Sequence, residues 1–445
     1  MPKDNLPDPD DPIEDFTVID DKILGVTQFN DCMSDKILES QILTLPRRTG
    51  SILDVVSQEL RLSHVDSPVI RWGILADDGQ QVTVEIAVLG RAYARAPLTQ
   101  LPGHRPPGDI HVAIVIPTGV GAAIGGFIGD AGPVVKAFGA ISDSVIVHPN
   151  VVNGSALYGG SKQSLYVDGF TLDAFLNGAV RIGRAQRPKV GIILDRVAEQ
   201  DETDVRNAIN ACRCVHGVDV VAIRVLDEKL EATVHTSSCE HYYGSVSNPD
   251  VLFSATAELA ACGATCLAVV TDLNETTPES WQAHYRGIGV NPVGATEALI
   301  SRAITAVSGL PCAHAPLRSC IQHQSGLVDP RAAAEAASGT TLPCILLGFQ
   351  QLGAAFAEGL HVSELTAVIV PSGCVGGAVA SAATKFGVPL LCIDENTCKI
   401  GLHADQLDNC RSAVRLATYL DAIGWLVCAK AGIALQMLRR PVNVL

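Results

Sequence analysis

From Ile110 almost to the C-terminus, short runs rich in β-branched residues alternate with Ala-rich stretches long enough for helices. The runs are HVAIVI, DSVIVH, KVGIILD, VDVVAIRVLD, TCLAVVTDL, LPCILLG, TAVIVP and VPLLCID. A strand that is apolar along its whole length is buried on both faces, and helical crossovers between successive strands make them parallel. The expectation is an α/β fold: Rossmann-like parallel sheets covered by helices, in two similar α/β halves, with a small α+β preface ahead of them. Of the 445 residues 47% are hydrophobic and 18% charged, which leaves ample apolar surface for a large core.

The organisation ahead of Ile110 is different. Residues 1–45 are acidic and proline-bearing and read as a mobile tail, with one short helix near Ser34–Ile42. Residues 49–96 form the preface: a helix carrying Ile52, Val55, Val56 and Leu60, then strands Ile70–Leu75 and Val82–Leu89 joined by a turn at Ala76-Asp77-Asp78-Gly79. The proline-rich segment Pro97–Gly108 marks the boundary, and residues 109–445 form the main region, read as two sub-domains with a shared cleft.

Charge narrows the partners. The net charge is −15 and no dense Lys/Arg stripe occurs, so nucleic acid and anionic membrane are poor partners, while self-association into a homo-oligomer stays open. The acidic start resembles neither a secretory leader nor a transit peptide, which points to the cytoplasm. Fourteen cysteines without paired C-x-x-C spacing read as reduced thiols standing in for small core residues. His235, Cys239, Glu240 and His241 have donor types suited to zinc, but their spacing matches no common site, so no metal is expected. The uncharged stretch Val112–Gly129 carries Pro117 and five glycines, and reads as a strand, a glycine-rich turn and a helix rather than a membrane span.

One pattern occurs twice. Ala113-Ile114-Val115-Ile116-Pro117-Thr118-Gly119 leads into GAAIGG, a helix ending at Gly139 and a strand ending His148-Pro149-Asn150. Ala367-Val368-Ile369-Val370-Pro371-Ser372-Gly373 leads into CVGGAVA, a helix ending at Gly387 and a strand ending Asp394-Glu395-Asn396. Proline and asparagine are 33 residues apart in the first unit and 25 in the second. Loops of this kind let backbone approach a ligand, and the N–H groups and dipole of the following helix favour an anion. Thr118, Gly119, Gly121, Asn150 and Asn153 of the first unit, and Ser372, Gly373, Gly376, Gly377 and Asn396 of the second, are therefore candidate binding residues. Glu297, opening an amphipathic helix, and His314, just after it, join them. Cys374, placed at a helix start where the dipole acidifies a thiol, His148 at a strand end, and Glu395 are the candidate catalytic groups.

The strings IPTGVGAAIGGFIGDAGPV, VHPNVVNGSALY, SLYVDGF, NPVGATEALISRAI, CAHAPL, VIVPSGCVGGAV, GVPLLCIDEN and YLDAIGWLVCAKAGI, in that order, resemble the family called domain of unknown function 3326, found in cyanobacteria and plants. The resemblance spans about residues 110–433 and implies shared strand-end motifs without implying an activity. Versions of the GVPLLCIDEN segment reading IPVIAVxEN favour Glu395 and Asn396 over Asp394. The functional expectation is an enzyme acting on a small anionic metabolite held between the two loops, by lyase, isomerase or hydrolase chemistry. One alternative is an NAD(P)-dependent oxidoreductase, because Gly119, Gly121 and Gly125 have dinucleotide-loop spacing, although His148 stands where a ribose-binding acid is expected. The other is a non-catalytic small-molecule binding protein using the same loops. The sequence specifies no cofactor.

Overall fold

The computed structural model describes residues 38–47, 52–53, 56, 69–90, 92–93, 98, 110–127, 129–157, 161–237, 241–273, 277–317, 326–338, 341–407, 410, 413–438 and 440–442. In it the two repeated units form the middle of one six-stranded sheet. Strands β4 (His111–Ile114) and β15 (Ala367–Pro371) lie side by side in parallel register, Ala367 opposite Val112 and Ile369 opposite Ile114. From β4 the chain steps outward to β5 (Ser144–Val147) and β6 (Ser164–Tyr166). From β15 it steps the other way, to β16 (Leu390–Ile393) and β17 (Ala413–Leu416). Every pairing is parallel, and β4, β15 and β16 are buried at every residue, as their unbroken apolar runs require. Helices Gly132–Gly139 and Ala378–Phe386 make the crossovers. The two α/β halves thus run outward from a shared central pair, and such a reversal leaves a crevice at the carboxyl ends of the strands.

A second parallel sheet has the order β13-β12-β8-β9, built from β8 (Lys189–Leu194), β9 (Asp219–Val225), β12 (Cys266–Thr271) and β13 (Cys312–Pro316). An antiparallel pair, β7 (Arg181–Arg184) with β14 (Gly353–Phe356), accompanies it. One run read as a strand is a helix. LPCILLG lies in Thr341–Gly348, with Leu342, Cys344, Ile345 and Leu346 all buried. A short continuous apolar run suits a strand or a helix buried all round equally well, so periodicity does not separate them.

The preface is not a separate body. Its strands β1 (Leu38–Pro46), β2 (Val69–Asp77) and β3 (Gln81–Leu89) join β10 (Ala232–Thr236) and β11 (Tyr242–Val246) in an antiparallel sheet of order β10-β11-β1-β3-β2. The helix expected near Ser34–Ile42 is replaced by β1, which pairs with β3 from Leu38 opposite Leu89 to Pro46 opposite Gln81. That long ladder outweighs the weak local preference for a helix. Residues 38–45 are therefore sheet, and the remainder of the expected tail, residues 1–37, lies outside the described residues. Ile52, Leu53 and Val56 are helical and buried, whereas Val55, Leu60 and nearly all of Pro97–Gly108 lie outside the described residues. Residues 34–445 belong to one unit. Among the described residues no helix is long and apolar enough to cross a membrane.

Strand β2 crosses directly over the second glycine loop. A Cβ at Gly376 would come within 2.7 Å of the Ile74 carbonyl oxygen, and Gly377, at φ +93°, lies against the Trp72 carbonyl. These glycines serve close strand packing. Gly376→Ala should therefore destabilise the protein by about 1–3 kcal/mol in denaturant unfolding, the usual result of forcing atoms into a filled space. Gly401→Ala, with nothing within 4 Å of its Cβ, should stay within about 0.5 kcal/mol of wild type. Equal losses in the two variants would contradict the packing argument.

Candidate functional site

The crevice where β4 and β15 diverge is a cleft of two lobes that meet at Pro117, Thr118, Val120, Pro149, Asn150 and His314. Free space, open solvent included, is about 990 Å³ in the larger and about 590 Å³ in the smaller. Both loops reach it: Thr118, Gly119 and Gly121 from the first, and Cys374, Gly376 and Gly377 from the second. Four helices begin at its wall, at Pro149, Gly169, Gly294 and Ala378. The start of Gly169–Leu176 is capped by the Asp168 side chain and that of Gly294–Ser308 by Asn291 Oδ1, while the start of Ala378–Phe386 has no side-chain cap and favours negative charge in the larger lobe.

The two motif asparagines hold the first loop from either side. Asn150 Nδ2 donates to the carbonyls of Ile116 (2.8 Å) and Pro117 (3.3 Å). Asn396 accepts from the Ile124 N–H (2.8 Å), donates to the Ile124 carbonyl (2.9 Å) and meets the Tyr419 hydroxyl (2.7 Å). Asn153 lines the smaller lobe and accepts from the Tyr166 hydroxyl (2.7 Å).

Glu297 and His314 form the chemically distinctive pair. Both line the smaller lobe, with His314 Nε2 3.9 Å from Glu297 Oε2. Burial, reinforced by the charge of Glu335, pushes the Glu297 carboxyl well above its ordinary range. Its Oε1 is buried without a hydrogen-bond partner. Burial, with the positive Arg302 nearby, pushes His314 down to about 4. Ser301 Oγ lies 3.2 Å from the Ala298 carbonyl and 2.9 Å from His314 Nδ1, and with its proton on that carbonyl it accepts from Nδ1. That leaves the lone pair on Nε2, facing Glu297. Desolvation therefore favours a protonated Glu297 carboxyl beside a neutral His314 imidazole.

Charged groups line the larger lobe. Arg71 of β2 donates from Nη1 to Glu85 of β3, a carboxylate only 1% exposed. Burial alone would raise Glu85, but Arg71, with His241 Nε2 at 3.3 Å, holds it at about 2. His241 Nδ1 donates to the Gly119 carbonyl (2.9 Å), tying the N-terminal sheet to the first loop. Arg302 Nη1 donates to Asp173 (2.5 Å).

The expected catalytic groups fare differently. His148 lines the larger lobe, but its Nε2 accepts from the Ile116 N–H (3.1 Å), and burial followed by the Arg302 charge pushes it down to about 3. It is a neutral ring whose basic nitrogen is already used. Cys374 lies four residues ahead of helix Ala378–Phe386, so the dipole does not reach it as expected, and burial drives its thiol well above the ordinary value. Cys398, 3.3 Å away between sulfurs, is the acidified partner, lowered by the hydrogen bond it accepts from Cys374. Glu395 does not line the cleft: its Oε1 accepts from the Tyr419 N–H (2.7 Å) and caps the following helix. Ser372, Gly373 and Asn396 also stand outside the lining. Ser372 donates to Asp394 (2.5 Å), and a Cβ at Gly373 would strike the Ile400 carbonyl. Of the zinc-type cluster, Cys239 and Glu240 lie outside the described residues, and His235 Nε2 meets Ser245 Oγ at 3.0 Å.

Arg71, His241, Asn291, Ser301 and Arg302 line the cleft although sequence reasoning did not select them. A signal existed for one: Ser301 stands one turn after Glu297, at i+4 on the same helix face. Nothing local marks Arg71.

A family described as "Protein of unknown function (DUF3326)" matches residues 111–439. An uncharacterized lipoprotein of the cyanobacterium Synechococcus is 31% identical over 329 residues, covering 72% of this chain and 90% of the relative. No solved structure matches.

The depressed imidazoles have a measurable consequence. An unfolded histidine takes up a proton near pH 6.5, while folded His314 does so at about 4, so the unfolded chain binds more protons in between and stability falls as pH drops. From about pH 7.5 to 5 this one residue should contribute about 2 kcal/mol of that loss. His314→Gln should remove that share in denaturant titrations at the two pH values, and an unchanged pH dependence would contradict the assignment.

Proposed function

Because the chain belongs to the DUF3326 family, proteins of unknown function whose membership assigns no activity, we propose from the cleft itself that the protein is an enzyme that transfers a proton on a small anionic metabolite. The observation that carries this reading is the Glu297–His314 pair: a buried carboxyl and a half-buried imidazole 3.9 Å apart in one lobe, each shifted by desolvation toward its neutral form. Such a gap lets both groups reach one substrate. His314 Nε2 would accept the proton, and Glu297 would donate to the oxygen on which charge develops. The uncapped start of helix Ala378–Phe386 and the arginines offset the metabolite's own charge. Isomerase and lyase chemistry both proceed through such a transfer. The nicotinamide-dependent alternative draws little support, because the strand after the first loop ends in His148, whose ring is engaged with the Ile116 backbone.

A panel of small carboxylates and phosphates at matched ionic strength should contain compounds that raise the melting temperature, as site occupancy requires. Incubated with enzyme in deuterated water, a stabilising compound should exchange a carbon-bound proton or turn over. Glu297→Gln and His314→Gln should each slow that reaction by about 10²–10⁴-fold with stabilisation retained. Stabilisation without exchange or turnover would make this a binding protein, and full activity in both variants would remove the pair from the mechanism.

A further inference from the structure

Arg71 belongs to a strand that precedes the matched region, yet it lines the same lobe as Arg302 of helix Gly294–Ser308. Each guanidinium carries five N–H donors, and among the described residues only Nη1 is engaged on either, Arg71 with Glu85 and Arg302 with Asp173. Both ion pairs are internally neutral, while the start of helix Ala378–Phe386, which has no side-chain cap, adds positive potential at the same wall; the start of Gly169–Leu176 is already capped by the Asp168 side chain. Asp173 lines the same lobe, is ion-paired with Arg302, and its charge also favours the protonated form of Arg71. Unused guanidinium N–H groups beside an uncapped helix start match the flat, multidentate edge of an oxyanion better than any neutral group. The lobe joins the Glu297–His314 lobe through Thr118 and Asn150, so a ligand held there by one end can present the other to that pair.

We propose that Arg71 and Arg302 together form an oxyanion subsite, so that strand β2, which precedes the matched region, helps determine which carboxylate or phosphate this protein accepts. The inference rests on the reading of the cleft as an anion site and deepens it: the ligand is an acid whose charged end lies under β2 and whose reactive carbon reaches Glu297 and His314.

Removing Arg71 alone would leave Glu85 buried without its cation, so the test uses Arg71→Met/Glu85→Gln and, separately, Arg302→Met/Asp173→Asn, which delete each pair as a neutral unit. A third variant, Arg71→Lys, keeps the charge and loses the fork. Phosphate and succinate are titrated against each folded protein by calorimetry, with chloride at matched ionic strength as the control. Wild type should bind one of the two saturably, and which one separates a phosphate from a carboxylate subsite. Each of the three variants should bind it at least tenfold more weakly. Undiminished binding in Arg71→Lys and in the Arg71/Glu85 double variant would overturn the proposal, as would a wild type that responds to neither anion beyond chloride. Weakened binding in the Arg71 variants, with no proton exchange on any bound acid, would leave the subsite standing and remove the catalytic reading. Exchange that depends on Glu297 but is indifferent to Arg71 would do the reverse.

Discussion

The parallel pairing of β4 with β15 is the constraint on which the rest depends. Two segments more than 250 residues apart in the chain lie edge to edge, and the ladder continues past them through the Val115 N–H to the Ile369 carbonyl (2.9 Å). Because each segment then carries its half of the sheet away from the other, the loops that follow cannot cover the strand ends between them. The crevice is a product of topology. Asn150 and Asn396, one from each half, then fasten the first loop across it, so the rim of the cleft is held by hydrogen bonds from these side-chain amides to the loop backbone rather than by the loop's own glycine-rich sequence.

Burial does the chemical tuning. The same desolvation that would penalise any charge acts on Glu297, His148 and His314 and favours their neutral forms. For His314 the shift from 6.5 to about 4 corresponds to about 3 kcal/mol against protonation. Glu85 shows the opposite outcome in equal burial, because Arg71 and His241 stand against it. One cleft therefore contains ionised pairs at one end and a neutral acid beside a neutral base at the other, and the difference lies in which side chains found a counter-charge.

The parallel sheets were legible in the sequence, because β-branched runs alternating with Ala-rich helical stretches suit strands buried on both faces. Glu297 and His314 were legible as polar residues in bland surroundings. What was hidden came from contacts distant in sequence. LPCILLG carries no period that tells a buried helix from a strand. The strand at Leu38–Pro46 exists because β3 pairs along its whole length. Cys374 and Glu395 occupied the right loops, but the acidity of a thiol depends on where the helix begins and what buries the sulfur, and a carboxylate beside an open helix start becomes its cap. Arg71 sits in an ordinary amphipathic strand, and only the passage of β2 over Gly376 and Gly377 brings it to the cleft.

The protonation state of Glu297 tests the account most directly. Infrared difference spectra of wild type minus Glu297→Gln at pH 7 should contain the C=O stretch of a protonated carboxylic acid that shifts on deuteration. A difference spectrum showing only carboxylate bands would mean that Glu297 is ionised, and the neutral acid–base pair at the centre of this account would not exist.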